Sequence, residues 1–134
     1  MLFRSKQVDF AGLRAAAEAF AQAGADVRAR GEAMLNGVRP PSGSARRSDP
    51  EAAALAEINH RLIMAERDLI EPAGLPDRPW YRHVVYAPGL YTGYGVKTIP
   101  GVREAVDAGN YTRAAEQAQN VIRALNRATR TLWP

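Results

Sequence analysis

The amino-acid sequence predicts an all-α domain, a small antiparallel bundle of three long helices and one short helix, on three observations. Apolar residues recur every three to four positions over three long segments, which is the period of one helix face. The prolines fall outside those segments or in the first turn of a helix, where they are tolerated. The chain has 134 residues, of which 46% are hydrophobic, so residues 1–134 are expected to form a single domain with one core.

Helix one is predicted from Val8 to about Asn36. Its apolar stripe consists of Phe10, Leu13, Ala17, Phe20, Gly24 and Val27. A glycine costs roughly 1 kcal/mol relative to alanine inside a helix, so a bend or a break is expected at Gly24. Residues 37–45, which contain two prolines and two serines, are predicted to form an exposed connection to the next helix.

Helix two is predicted to begin at Ser48 or Asp49. Either side chain can accept a hydrogen bond from a free amide of the first turn, and Pro50 and Glu51 are typical of that turn. The apolar stripe of this helix consists of Leu55, Ile58, Leu62, Ala65 and Leu69. The helix is expected to end before Pro72, because proline cannot continue it.

Helices three and four complete the predicted bundle. The short helix three is predicted to open at Thr98-Ile99-Pro100 and to run through Val106, and Gly109 is expected to stop it, because glycine readily adopts the left-handed conformation of a helix end. Asn110 is then placed to cap helix four. The apolar edge of helix four consists of Ala114, Ala118, Val121, Leu125, Ala128 and Leu132.

Residues 72–99 are predicted to form a long ordered loop between helices two and three. The segment holds four prolines and four glycines, and it has neither a helical nor an alternating apolar period. It also holds five of the ten Trp, Tyr and Phe residues of the chain, whereas disordered segments are poor in such residues. Loops of this length in compact domains are usually functional or disordered, so this composition favours a function.

The composition excludes several classes of chemistry. There is no cysteine, His60 and His83 lie far apart without metal-ligand spacing, and no serine stands in a nucleophile-elbow sequence. No metal site and no catalytic residue are therefore expected in this chain. Glu66 and Glu71 are expected to be solvated carboxylates rather than a general acid and base, and His83 to be structural rather than a proton carrier.

Charge and hydropathy suggest what the chain does not bind. The formal net charge is +4, but basic residues alternate with acidic ones along the helices, and the only dense basic cluster is residues 39–47. A nucleic-acid partner is therefore not expected, although a basic bundle would bind any duplex with a steep dependence on salt. The sequence shows no run of about 18 apolar residues and no secretory signal, so a soluble chain without membrane contact is expected.

The glycine-rich stretch over residues 89–97 does not have the spacing of a phosphate-binding loop. Its glycines permit sharp turns, and Tyr91 and Tyr94 each offer an apolar face and one hydroxyl. Two interpretations stay open at this point. The stretch is either a ligand-binding loop or an ordinary loop whose tyrosines pack on the bundle.

Residues 74–88, which read GLPDRPWYRHVVYAP, resemble a stretch of the glutamate carboxypeptidase and transferrin receptor family. The similarity continues through Tyr94 and the pair Pro100-Gly101, and it includes residues 62–67 of the preceding helix. It covers roughly residues 8–132 and is most specific over residues 62–106.

The resemblance implies that the chain is the C-terminal helical domain of that family, the transferrin receptor-like dimerisation domain. In the family this domain follows a protease-like domain that holds two zinc ions. The chain itself is then non-catalytic, and the zinc belongs to a catalytic domain absent from it. The implied parent is a zinc exopeptidase, either a carboxypeptidase or an aminopeptidase. The implied partners are a second copy of the chain, the catalytic domain of the parent and, in the full-length protein, the peptide substrate.

The resemblance also implies a substrate-binding pair. In the glutamate-specific carboxypeptidases of the family, a Lys-Tyr pair in this loop grips the carboxylate of the terminal residue of the substrate, and the matching positions are Gly93 and Tyr94. Only the tyrosine carries over, so strict glutamate specificity is not expected, unless Lys97 supplies the missing ammonium; the favoured interpretation of Lys97 is a plain solvent-exposed lysine. An alternative function is a stand-alone protein-interaction module of a transferrin receptor-like protein without peptidase activity.

Overall fold

A computed structural model of the chain describes residues 8–37, 49–91 and 93–133. These residues contain four helices, which are α1 (Phe10–Asn36), α2 (Asp49–Asp68), α3 (Pro100–Asp107) and α4 (Tyr111–Leu132). Two short strands, β1 (Tyr86–Pro88) and β2 (Val96–Thr98), lie between α2 and α3. The predicted all-α bundle of three long helices and one short helix is confirmed. The predicted connection over residues 37–45, apart from Gly37, and the Ser48 start signal lie outside the described residues.

Helix α4 is the centre of the bundle, because it packs against α1, α2 and α3, whereas α1 and α2 contact each other less. Its side of the core is built from small residues that are completely buried, namely Ala114, Ala118, Ala124 and Ala128. Small side chains at a helix contact shorten the distance between the helix axes. The predicted apolar edge of α4 is therefore confirmed as the main core surface of the chain.

Helix α1 runs without interruption through Gly24, so the expected break at this glycine is wrong, and a bend there stays a prediction. Ala23 and Val27, on either side of it, are both buried in the core. Packing of this face stabilises the helix by more than the roughly 1 kcal/mol that a glycine costs.

At its start, Asp9 caps α1, because its carboxylate accepts a hydrogen bond of 2.7 Å from the amide of Gly12.

Helix α2 buries a narrower stripe than its sequence predicts. Ala65 is buried, as is Leu69 directly after the end of the helix, and Ile58 packs partly against the core, but Leu62 is about half exposed, as is its neighbour Ile63. The assignment of Leu62 to the buried stripe is therefore wrong. The reason is that α2 packs mainly on α4, so only one narrow side of it is covered.

Helix α3 and the turn after it follow the predicted signals. Pro100 is the first residue of α3, and Gly109 adopts a left-handed φ of +70° after its end. The side chain of Asn110 then accepts a hydrogen bond of 3.0 Å from the amide of Arg113 and caps α4. The predicted stop and cap are both confirmed.

The segment between α2 and α3 is ordered, as predicted, but it contains secondary structure that its sequence did not reveal. Strands β1 and β2 form an antiparallel hairpin in which Tyr86 pairs with Thr98 and Pro88 with Val96. Three residues are too few to show an alternating apolar pattern, and a proline argues against a strand. The interpretation of residues 72–99 as a loop without strands is therefore wrong for these six residues.

Candidate functional site

Backbone hydrogen bonds fold the first part of the α2–α3 segment, residues 69–84, back onto the end of α2. The amide of Val84 donates to the carbonyl of Leu69 at 3.0 Å, and the amide of Glu71 donates to the carbonyl of Arg82 at 2.9 Å. The segment therefore leaves α2 and returns to it before the hairpin begins. This closed turn provides a fixed base for the residues that follow.

Gly74 lies inside this turn, where no other residue fits. Its φ is +72°, and a Cβ atom built on it would stand 2.2 Å from the carbonyl oxygen of Pro79. A left-handed backbone and a backbone atom at that distance both require glycine. Within the same turn, Asp77 also has a positive φ, of +64°, and its carboxylate pairs with Arg113 of α4 at 3.0 Å.

Arg78 is the buried charged residue of the α2–α3 segment, with 3% of its surface exposed. Its Nη2 atom donates to Glu104 Oε1 of α3 at 2.7 Å, and its Nη1 atom donates to the carbonyl oxygen of Pro88. The same Glu104 oxygen accepts a hydrogen bond of 3.0 Å from the amide of Leu90. Two charged side chains thus join the turn, the hairpin and α3. Arg78 lies within the family-like stretch of residues 74–88, but sequence reasoning missed its pairing with Glu104, because the two residues lie 26 positions apart.

The predicted substrate-binding pair, Gly93 and Tyr94, lies at the tip of the hairpin. The described residues of this tip are 91, 93 and 94. The amide of Gly89 donates to the carbonyl of Gly95 at 2.9 Å and closes the hairpin below this tip. Tyr91 is 94% exposed and Tyr94 is fully exposed, so neither phenol packs on the helices of this chain. Gly93 has a φ of +59° and no atom near the place of a Cβ.

Lys97 does not supply an ammonium to the tip. It lies on β2, its side chain is only a quarter exposed, and its Nζ atom is 3.4 Å from a carboxylate oxygen of Asp107 on α3. This pairing directs the charge toward the helix. The hypothesis that Lys97 replaces the ammonium missing at Gly93 therefore has no support from its position.

A cavity of about 350 Å³ lies between the hairpin and the adjoining parts of α3 and α4. Leu90, Tyr91 and Ala105 contribute to its wall. Two ion pairs lie in its wall, Asp77 with Arg113 and Lys97 with Asp107. Glu104 also lines the cavity and pairs with Arg78, so each of these charged residues has a partner of opposite charge.

His83 links the hairpin to α2. Its Nδ1 atom accepts from the amides of Val85 and Tyr86, both at 3.3 Å, so the neutral ring carries its proton on Nε2. The Nε2 atom lies 3.3 Å from Glu66 Oε1, outside hydrogen-bond geometry, and the Tyr86 hydroxyl donates to that same oxygen at 3.1 Å. These contacts are typical of a structural histidine. The carboxylate of Glu66 contacts His83 and Tyr86. Glu71 takes no part in these contacts.

The phenol of Tyr86 is expected to titrate above the ordinary tyrosine range. The hydrogen bond to Glu66 and the charge of that carboxylate both raise the pKa of Tyr86. Because the folded-state pKa is the higher one, the stability that this contact contributes is complete below the unfolded pKa of about 10 and is lost as the pH rises through the folded pKa. We expect Glu66→Gln to lower the pKa of Tyr86 toward its ordinary value in an NMR titration of the ring. Glu71→Gln is the control and should leave it unchanged; equal results for both variants would contradict the contact.

The described residues contain no group of three or more histidine, aspartate or glutamate side chains that could hold a metal ion. No helix among the same residues combines the length and the apolar character that crossing a membrane requires.

Comparison with known proteins identifies a family over nearly the whole described chain. A family model for the transferrin receptor-like dimerisation domain matches residues 8–133. The chain is also similar to a probable glutamate carboxypeptidase of Arabidopsis thaliana, with 40% identity over 81 residues, which are 60% of this chain and 12% of that protein.

Two fungal proteins are similar over shorter stretches. A probable glutamate carboxypeptidase of Arthroderma benhamiae is 52% identical over 59 residues, which are 44% of this chain and 8% of that protein. An inactive zinc metalloprotease of Schizosaccharomyces pombe is 31% identical over 74 residues, which are 55% of this chain and 9% of that protein. The chain thus spans about a tenth of the length of the curated relatives it matches.

Proposed function

Because the chain belongs to the transferrin receptor-like dimerisation domain family, we propose that it is the non-catalytic helical domain of a zinc-dependent exopeptidase similar to the glutamate carboxypeptidases. In this proposal the chain mediates homodimerisation and contributes the hairpin tip to the substrate pocket of the parent. The zinc and the catalytic groups belong to the catalytic domain. The support is the family match over residues 8–133 and the relatives whose names describe carboxypeptidases.

Exposed apolar side chains support a role in which other surfaces cover this chain. Several large ones lie on α2 and the α2–α3 segment with a third or more of their surface in solvent: Leu62, Ile63, Ile70, Trp80, Tyr81, Tyr86, Leu90, Tyr91, Tyr94 and Val96. Exposed apolar surface that forms contiguous patches usually marks a protein interface or a ligand site. We assign these residues to contacts with the second copy, the catalytic domain and the substrate.

The exposure of Tyr94 is the observation that carries the substrate-binding part of the proposal. A fully exposed phenol contributes little to the folding of its own domain, because it buries no apolar area there. Its ring and hydroxyl are both available to a ligand or to another domain. The hairpin holds this phenol away from the helices, and the sequence resemblance assigns Tyr94 to the position of the family's pocket tyrosine.

The chemistry of this tip fits the end of a peptide. The hydroxyl of Tyr94 can donate a hydrogen bond to the carboxylate of a terminal residue. Gly93 has no ammonium to add, so the charge-assisted part of the contact that a lysine would make is lost. The space around the Cβ position of Gly93 is open. We therefore expect the parent enzyme to accept terminal residues other than glutamate.

Tyr94→Phe in the full-length peptidase is expected to raise KM roughly tenfold, the equivalent of about 1.4 kcal/mol, and to leave thermal stability unchanged. The variant removes one hydrogen-bond donor and keeps the ring. Tyr91→Phe is the matched control, since Tyr91 is nearly as exposed and lies on the same tip but does not match the pocket tyrosine. Steady-state kinetics with peptides that end in acidic and in neutral residues measure the effect.

Gly93→Lys is the complementary variant, expected to improve selection of acidic terminal residues because it restores the ammonium. A different result would decide against the proposal. If Tyr94→Phe leaves the kinetics unchanged and lowers the melting temperature by several degrees, the phenol packs on another domain and does not bind substrate.

A second candidate function is a protein-interaction module whose neighbouring peptidase-like domain has lost catalysis. The observation in its favour is that one relative is named an inactive zinc metalloprotease. Because the zinc ligands would lie outside this chain, the sequence of the catalytic domain separates the two candidates. Retention of a complete set of zinc ligands there favours the exopeptidase, and their loss favours the interaction module.

A further inference from the structure

We infer that Arg78 and Glu104 act together as a positioning clamp, which sets where the hairpin tip stands and thereby where Tyr94 meets the substrate. Neither residue lies on the tip. The inference rests on the proposed function, because it assigns a positioning role toward the same pocket. It is carried by the contacts that these two side chains make with the base of the hairpin.

The clamp holds the chain on both sides of Gly89, where the hairpin continues beyond β1. Arg78 donates to the carbonyl of Pro88 through Nη1 and to Glu104 through Nη2 at 2.7 Å. Glu104 Oε1 in turn accepts from the amide of Leu90 at 3.0 Å. One guanidinium and one carboxylate therefore fix the two peptide groups next to Gly89 relative to α3.

Beyond the clamp, the Lys97–Asp107 pair is a further contact between the hairpin and α3, and it lies below the tip. Tyr91 and Tyr94 make no side-chain hydrogen bond to any of the residues that the structure describes, and both are almost fully exposed. The hydrogen bond from Gly89 to Gly95 joins the two sides of the hairpin to each other but not to the helices. The direction in which the tip points therefore depends on contacts at the base of the hairpin.

The residue types at the clamp suit this task. Arginine has a planar fork of donors and can bridge two acceptors at a fixed angle, whereas lysine offers a single point charge on a flexible stem. With 3% of Arg78 and 18% of the Glu104 side chain exposed, water competes little for these hydrogen bonds. A matched contact nearby, from Lys97 to Asp107, also joins the hairpin to α3, but it is long at 3.4 Å and the Asp107 side chain is more than half exposed.

Glu104→Gln in the full-length peptidase tests the clamp with a small change. Glutamine keeps an oxygen for the amide of Leu90 but loses the charge that holds Arg78. We expect KM to rise roughly threefold to tenfold with kcat nearly unchanged, because a displaced tip weakens a contact made equally in the ground state and the transition state. Arg78→Lys should act in the same direction. Asp107→Asn is the matched control, and its KM should stay within about twofold of the parent.

A double-mutant cycle separates positioning from a general loss of structure. If Glu104 acts through Tyr94, Glu104→Gln should have little further effect on KM once Tyr94→Phe is present, so the two effects are not additive. Hydrogen exchange over residues 86–98 of the same variants should be faster in Glu104→Gln and unchanged in Asp107→Asn. If the KM of the double variant instead rises by the product of the two single-variant factors, the inference is overturned.

The failure of the inference and that of the proposed function give different results. If Tyr94→Phe raises KM and Glu104→Gln does not, Tyr94 binds substrate and the clamp plays no part in placing it. If Tyr94→Phe has no kinetic effect, the proposed substrate contact is wrong, and the positioning role is overturned with it. If Arg78→Lys fails to fold, Glu104→Gln alone decides between these results.

Discussion

Gly74→Ala is expected to lower the free energy of unfolding of this chain by roughly 3 kcal/mol or more. Two costs combine at this position. The backbone has a φ of +72°, which strains any residue with a Cβ, and that Cβ would stand 2.2 Å from the carbonyl oxygen of Pro79. The oxygen belongs to the backbone, so it can move away only if the closed turn over residues 69–84 opens. Urea unfolding followed by circular dichroism measures the change.

Gly109→Ala is the control that isolates the collision. Gly109 has nearly the same conformation, with a φ of +70°, but no atom lies within 4 Å of its Cβ position. Only the conformational cost of about 1 to 2 kcal/mol should appear there. If Gly74→Ala is no worse than Gly109→Ala, the turn between α2 and α3 is not closed in solution as the structure has it.

Ala118→Leu is the second substitution with a large expected effect, a loss of about 3 kcal/mol of stability. Ala118 has no exposed surface and lies on α4, the helix against which all the others pack. Three added carbon atoms cannot fit without moving a neighbouring helix, because protein cores are close-packed. The measurement is again denaturant unfolding, with the melting temperature as a second reading.

Ala19→Leu serves as the matched control for this variant. Ala19 is an exposed residue of α1, so a leucine at this position adds volume toward solvent. Alanine and leucine have similar helix propensities. Its effect should stay within about 0.5 kcal/mol. Equal losses from both variants would show that leucine perturbs the helices themselves, and the central place of α4 in the core would then lack support.

The candidate site could be predicted from the sequence only in part. Gly93 and Tyr94 came from a resemblance, and local reasoning from the glycines and tyrosines of residues 89–97 did not decide between binding and packing. The structure places both residues on an exposed tip. Arg78 and Glu104 could not be predicted, because a contact between side chains 26 positions apart is set by how the segment folds over α3.

Local physical chemistry determined most of the helices of this protein. The long helices, the stop at Gly109 and the cap at Asn110 all follow from interactions within a few residues along the chain, since periodicity, capping and left-handed glycines act at that range. For the same reason the sequence located the ordered segment between α2 and α3 but not the hairpin within it.

Tertiary structure alone decided the features that depend on which surfaces meet. Helix α1 continues through Gly24 because both sides of that glycine pack into the core, and Leu62 stays exposed because α2 is covered on one narrow side. The hairpin is defined by pairing between β1 and β2. Arg78 can be buried because the carboxylate of Glu104 on α3 pairs with its charge. Burial and pairing of this kind depend on residues that are distant in the sequence. No local sequence pattern therefore predicts them.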